Sequence, residues 1–213
     1  MIQIHATQKL LAKLPAQTKL GPEDILTAPQ SKLGSWHANL LTIQRRNCLL
    51  FVHDQTRLSV FIPALTKPDF AKITWFFGDA LMNTLLKCGA TPEQLDTAAA
   101  WLQPLAFVGG TDRSVLGTLN QLGQDIDHML YVDSRSVAEM AGYALSASLA
   151  ERPCHVKGQQ DDVWPRDAFL ELLDCLSAEV APHAGQTDGQ RPLSGSLSEP
   201  KADNVVTLDR FRK

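Results

Sequence analysis

The sequence predicts an α+β fold: a small antiparallel β-meander packed with several helices, followed by a flexible C-terminal tail. Three observations carry this. Between Trp36 and Ile62 the apolar runs WHANLLTI, CLLFVH and RLSVFI are joined by the polar connectors QRRN and DQT, and short strands with tight polar joints pair as hairpins. Beyond Thr66, apolar residues recur at helical spacing between strong start and stop signals. From His183 the composition turns to Gly, Pro, Ser and Gln, which cannot bury enough surface to offset ordering entropy.

Taken in chain order, Met1–His5 reads as a short strand. Thr7 caps a helix over residues 8–14 with Leu10, Leu11 and Leu14 inward. Residues 15–35 are loop-like, with room for one helical turn at GPED. The meander runs are apolar rather than alternating, so both sheet faces are expected to be covered, at least in part, by helices. Thr66-Lys67-Pro68-Asp69 opens a helix to Lys87, stopped by Gly89, with Phe70, Ile73, Phe77, Leu81 and Leu85 on one stripe. Thr91-Pro92-Glu93-Gln94 is a capping box for a helix ending near Leu102. Leu105–Val108 suits a strand, and Gly109-Gly110 a turn. Thr111 or Asp112 then caps a helix with Leu116, Leu119, Leu122, Ile126 and Met129 inward. Gly117 and Gly123 weaken that helix or permit close packing. Residues 135–150 form another helix. Trp164-Pro165-Arg166-Asp167 opens the last one, burying Phe169, Leu172, Leu173 and Leu176. Residues 1–182 are thus one α+β domain and 183–213 a tail. Its final NVVTLDRFRK has an apolar face (Val205, Val206, Leu208, Phe211) suited to docking on a partner.

Of the 213 residues, 44% are hydrophobic and 20% charged, which excludes collagen-like and wholly disordered chains. No apolar run reaches the ~18 residues of a membrane span, and no secretory leader opens the chain. Cys48, Cys88, Cys154 and Cys175 form no CxxC pair, so a zinc ribbon is excluded and four free thiols in a reducing cytoplasm are expected. The net charge of -3 hides an asymmetry: residues 1–60 hold seven Lys/Arg against three Asp/Glu, a net of +4. A basic third on an acidic body can steer an anion to one face.

HATQKLLAKL, then GSWHANLLTIQRRNCLLFVHDQTRLSVFIP, then a long helix, then TDRSVLGTLN resembles an uncharacterised bacterial domain-of-unknown-function family over roughly residues 1–130. The matched positions are Trp36, Asn39, Arg45, Arg46, Cys48, Phe51, Arg113, Ser114, Gly117 and Asn120. The resemblance implies a shared fold and no assigned activity.

Candidate chemistry is sparse. Arg45 and Arg46 form a basic hairpin tip, Arg57 begins the third run near the opposite joint, and Trp36 and His37 begin the first. Guanidinium groups with a Trp and a His on one sheet can hold a phosphate backbone and stack a base; a solvated turn and a core Trp would place the same residues there. His5, Cys48, His53 and Asp54 are of metal-binding type, but Cys48 and His53 are five positions apart and point to opposite strand faces, so no metal is expected. Cys154 lies beside Arg152 and Lys157, cations that can activate a thiol. Gly109–Ser114 is a glycine turn entering a helix, and Asp112 at its cap would repel an anion; Arg113 can still reach back to an acidic partner or to the protein's own carboxylates. No catalytic motif is present. The sequence therefore points to a non-enzymatic, cytoplasmic binding or accessory module without a cofactor. It would engage a macromolecular partner, nucleic acid among the possibilities, through Trp36, His37, Arg45, Arg46, Arg57 and Arg113. The alternative is an enzyme of unknown reaction class with a cleft near Trp36, His37, Arg45 and Arg113.

Overall fold

Alternation in Ile2–Ala6 buries Ile2, Ile4 and Ala6 on one face and makes this run a strand, β1. The computed structural model describes residues 1–19, 21, 31–156 and 161–180. In it β2 (Trp36–Ile43), β3 (Arg46–His53) and β4 (Ser59–Leu65) form the expected antiparallel meander. The meander is only part of the sheet. With β5 (Leu105–Val108), the five strands run in the order β4-β3-β2-β1-β5. β1 is parallel to both neighbours, with Ile4 opposite Trp36 and Ile2 opposite Leu105. The expected small antiparallel sheet is therefore corrected to a mixed one. Parallel neighbours are joined by long crossovers, and nothing local in the sequence marks which distant runs will meet.

Among the described residues six α-helices cover this sheet: α1 (Gln8–Leu11), α2 (Ile73–Lys87), α3 (Pro92–Trp101), α4 (Arg113–Val132), α5 (Gly142–Ala150) and α6 (Pro165–Val180). One face sets Trp36, Leu49, Phe51 and Val60 against Phe77 and Leu81 of α2 and Phe169 and Leu173 of α6. The other sets Cys48, Leu50, Val52 and Phe61 against Val115, Leu119 and Ile126 of α4. Both faces of β3 are thus dry, which is why CLLFVH shows no alternation. Each fully buried large side chain contributes about 1.5–3 kcal/mol of transfer free energy.

α5 lies along β4, the strand at one edge of the sheet. It sends Leu149 to one core and Ala150 to the other. Ser146 Oγ accepts the Phe61 N–H at 2.8 Å, so an edge donor that would otherwise face outward is satisfied. The approach is close enough that a Cβ on Gly142 would sit 2.4 Å from the Phe61 carbonyl oxygen. At the opposite edge, Lys19 bridges Phe107 of β5 in parallel.

Several boundaries differ from expectation. Thr7 precedes α1 but makes no side-chain cap; its hydroxyl donates instead to Asn39 Oδ1 at 2.9 Å, and α1 stops at Leu11. Thr66 and Asp69 do form a capping pair, the Thr66 N–H donating to Asp69 Oδ2 at 2.7 Å, but Lys67–Lys72 is a 3₁₀ segment and the α-helix begins at Ile73. Asp112 is the cap of α4, accepting from the Ser114 and Val115 N–H groups. In α4 the fully buried positions are Val115, Leu119, Ile126 and Leu130, with Leu116, Leu122 and Met129 half-buried. Residues 135–150 are not one helix: Val137–Glu139 is 3₁₀, extended residues follow, and α5 starts at Gly142, where contact with β4 dictates the break. β4 begins at Ser59, since Arg57 has a left-handed φ of 61°. Gly123 packs close, a Cβ there lying 3.2 Å from Leu41, whereas Gly117 faces open space. All four cysteines are free. The described residues lie within the compact unit Met1–Pro182. The tail, its terminal peptide, most of the GPED turn and Lys157 lie outside them. Among the described residues no helix is long and apolar enough to cross a membrane.

Candidate functional site

The β2–β3 register separates the sequence-predicted residues. Ile43 pairs with Arg46 at one end of the sheet and Trp36 with His53 at the other. Seven residue steps along β2 span about 23 Å. Arg45 and Arg46 therefore lie far from Trp36, His37 and Arg57. Trp36 and His37 also face opposite sides of the sheet. The cleft expected near Trp36, His37, Arg45 and Arg113 is not formed.

At the Trp36 end, the indole is fully buried, 5.2 Å edge-on from Phe77 and 5.8 Å from Phe169 between ring centroids. It is a core residue and offers no exposed ring to a base, which corrects the stacking role expected of it. His53 packs behind it at 5.0 Å. Thr56 donates its N–H to His53 Nδ1 at 3.2 Å, and burial holds the His53 imidazole down to a pKa of about 4.

His37 is 2% exposed. Its Nε2 accepts the Asp112 N–H at 2.7 Å, so the ring proton sits on Nδ1, 2.6 Å from Asp54 Oδ1. Both nitrogens are thereby used, and no lone pair is left to act as a general base. His5, opposite His37 in β1, stacks on it at 4.8 Å; burial and the neighbouring imidazole hold His5 below its ordinary pKa. The Asp112 carboxylate is lowered by the Val115 and Ser114 N–H groups it accepts.

Arg57 completes this end and is 5% exposed. It donates to the Asp54 carbonyl at 2.8 Å and to Ser114 Oγ at 3.2 Å, and its buried Nε has no partner. It lines a cavity of about 390 Å³ shared with Ser59, Ser114, Thr118, Leu122 and Leu149. Cys154 is on the same wall, half-buried and fixed by paired backbone hydrogen bonds with Val163 at 2.8 and 2.9 Å. Arg113 is exposed on the first turn of α4 and makes no ion pair among the described residues. His37, Arg57 and Arg113 thus gather around the N-terminus of α4, but only Arg57 lines the cavity.

At the other end, Gln44 and Arg45 form the two-residue hairpin turn with φ of 48° and 62°. The Gln44 amide clamps the segment after α4, donating to the Arg135 carbonyl at 2.8 Å and accepting the Val137 N–H at 2.9 Å. The clamp sets Arg135 and Tyr131 beside Gln44 on one shallow groove. Tyr131 is 83% exposed, and Arg45, Arg46 and Arg135 are exposed and unpaired among the described residues. Sequence reasoning missed Tyr131 and Arg135. The signal was present for Tyr131, an aromatic off the apolar stripe of its helix. Nothing local in the sequence joins Arg135 to a hairpin ninety residues earlier. No group of three His, Cys, Asp or Glu among the described residues is placed to hold a metal ion.

The described residues form an α+β domain with a charged strap at one end of its sheet and a basic hairpin at the other, and among them no catalytic constellation declares a reaction. Residues 3–168 match the family model for a domain of unknown function, DUF6933, and the chain belongs to that family. The match extends well past the residues that carried the resemblance in sequence. No curated protein and no solved structure matches the chain.

Proposed function

We propose that this protein is a cytoplasmic, non-enzymatic binding module that engages nucleic acid through the hairpin end of its sheet. The observation that carries the reading is Arg45. It occupies a left-handed turn position at φ 62°, where a side chain costs about 1 kcal/mol and Gly or Asn is the usual resident. Strain of that kind is retained where the strained residue has a task. Around it stand two more unpaired guanidinium groups, Arg46 and Arg135, and the exposed ring of Tyr131. Guanidinium groups serve phosphates, and an exposed ring serves an unstacked base, so single strands are the favoured form.

The test is fluorescence anisotropy with single- and double-stranded DNA and RNA at about 50 and 200 mM salt, the span over which phosphate contacts lose most affinity. Arg45→Ala with Arg46→Ala should flatten the salt slope by up to about two units. Tyr131→Ala should weaken single-strand binding more than duplex binding. Absence of binding at the lower salt retires the proposal.

A further inference from the structure

We infer that the Arg57 cavity is a binding site for a small organic anion, a carboxylate or phosphate group carried on an apolar body. The inference is independent of the hairpin end. Arg57 is a guanidinium that is 5% exposed, and among the described residues no carboxylate comes within ion-pair distance of it. A buried charge without a counter-charge is strongly unfavourable. Its neighbours supply only neutral acceptors, the Asp54 carbonyl and Ser114 Oγ, which use two of its five N–H donors. The Nε donor is buried and unpartnered.

Arg57 and the exposed Asp112 carboxylate at the cap of α4 attract one another without forming an ion pair, and the charged groups of the cavity wall are engaged elsewhere. Arg152 and Asp125 pair with each other at 3.7 Å, and His155 faces Asp162 at 3.2 Å. Ser114 accepts from Arg57 and so keeps its own O–H to donate. Leu122, Leu149, Pro153 and Pro165 supply the apolar part of the wall, and Ser59, Thr118 and Gln121 are neutral polar groups on it. A 390 Å³ cavity is at the small end of the range for ligand pockets. An anionic head on the remaining Arg57 Nη donors and the Ser114 hydroxyl, with an apolar body on the leucines, fits this lining.

Gly117 provides a variant that tests the site without touching Arg57. It lies in the second turn of α4, lines the cavity, and has open space where a side chain would go. Gly117→Leu should fill the cavity and leave the helix intact. The probes are phenyl phosphate, benzoate, and benzylamine as the cationic counterpart, titrated by calorimetry at low salt. The expected result is saturable binding of at least one of the two anions, no binding of benzylamine, and a loss of about 10-fold or more in Gly117→Leu, equivalent to ~1.4 kcal/mol. The tighter of the two anions identifies the head group. The inference is overturned if neither anion binds up to about 10 mM, a Kd limit weaker than ~3 kcal/mol. It is equally overturned if benzylamine binds as well as the anions, or if Gly117→Leu binds them like the wild type.

Discussion

The backbone N–H of Asp112 donates to His37 Nε2 at 2.7 Å while Nδ1 of the same ring meets Asp54 at 2.6 Å. One imidazole thereby ties the start of β2 to the turn after β3 and to the cap of α4. His37→Ala removes both bonds and strands the groups that made them. We expect a loss of about 1–3 kcal/mol in urea unfolding. A loss below about 0.5 kcal/mol would be that of an ordinary surface substitution and would count against the strap.

His53 gives the protein a defined acid sensitivity. Its folded pKa is about 4 against an ordinary 6.5, because burial disfavours the charged ring. Between those values the unfolded chain binds a proton that the folded one does not. Stability is therefore complete above pH 6.5 and falls as pH drops toward 4, by at most about 3 kcal/mol from this group. Urea midpoints at pH 7, 5.5 and 4.5 should fall in that order, and His53→Gln should flatten the trend.

Two glycines should respond oppositely to Ala. At Gly142 the new methyl would meet the Phe61 carbonyl oxygen at 2.4 Å and Pro63 Cδ at 2.7 Å, and neither can step aside without moving β4. Gly142→Ala should cost about 1–3 kcal/mol, as overpacking does. Gly117 is helical with nothing nearby, so Gly117→Ala should stabilise by about 0.5–1 kcal/mol. Thermal midpoints measured side by side would distinguish the two.

Phe77 sits between Trp36 at 5.2 Å and Phe51 at 4.9 Å and is fully buried. Phe77→Ala should cost about 3–5 kcal/mol in denaturant unfolding. A value near 1 kcal/mol would mean the aromatic cluster closes over the gap.

What the sequence revealed was what is written locally. The meander was legible because its turns and strands are contiguous, and the Thr66 and Thr91 starts because cap and partner are three residues apart. Parallel pairing of β1 was not, since Ile4 meets Trp36 about thirty residues on and Ile2 meets Leu105 about a hundred residues on. Thr7 misled because its hydroxyl is taken by Asn39, a residue on another strand. Arg57 misled for a related reason. An arginine beside a polar turn reads as surface, and only the fold lays α4 over it. Trp36 was the reverse case, an aromatic read as available that the core had claimed.

The position of β1 also sets a clock on synthesis. It is made before the other four strands, yet its second neighbour, β5, ends only at Val108. At 5–20 residues per second that partner is complete only about 5–20 s later. Until then a nascent chain can pair β1 on one side at most, leaving a short apolar edge open to a neighbouring chain on the same message. The interval in which this protein is most prone to mispair is thus fixed by the place of four residues, Leu105–Val108, in the chain.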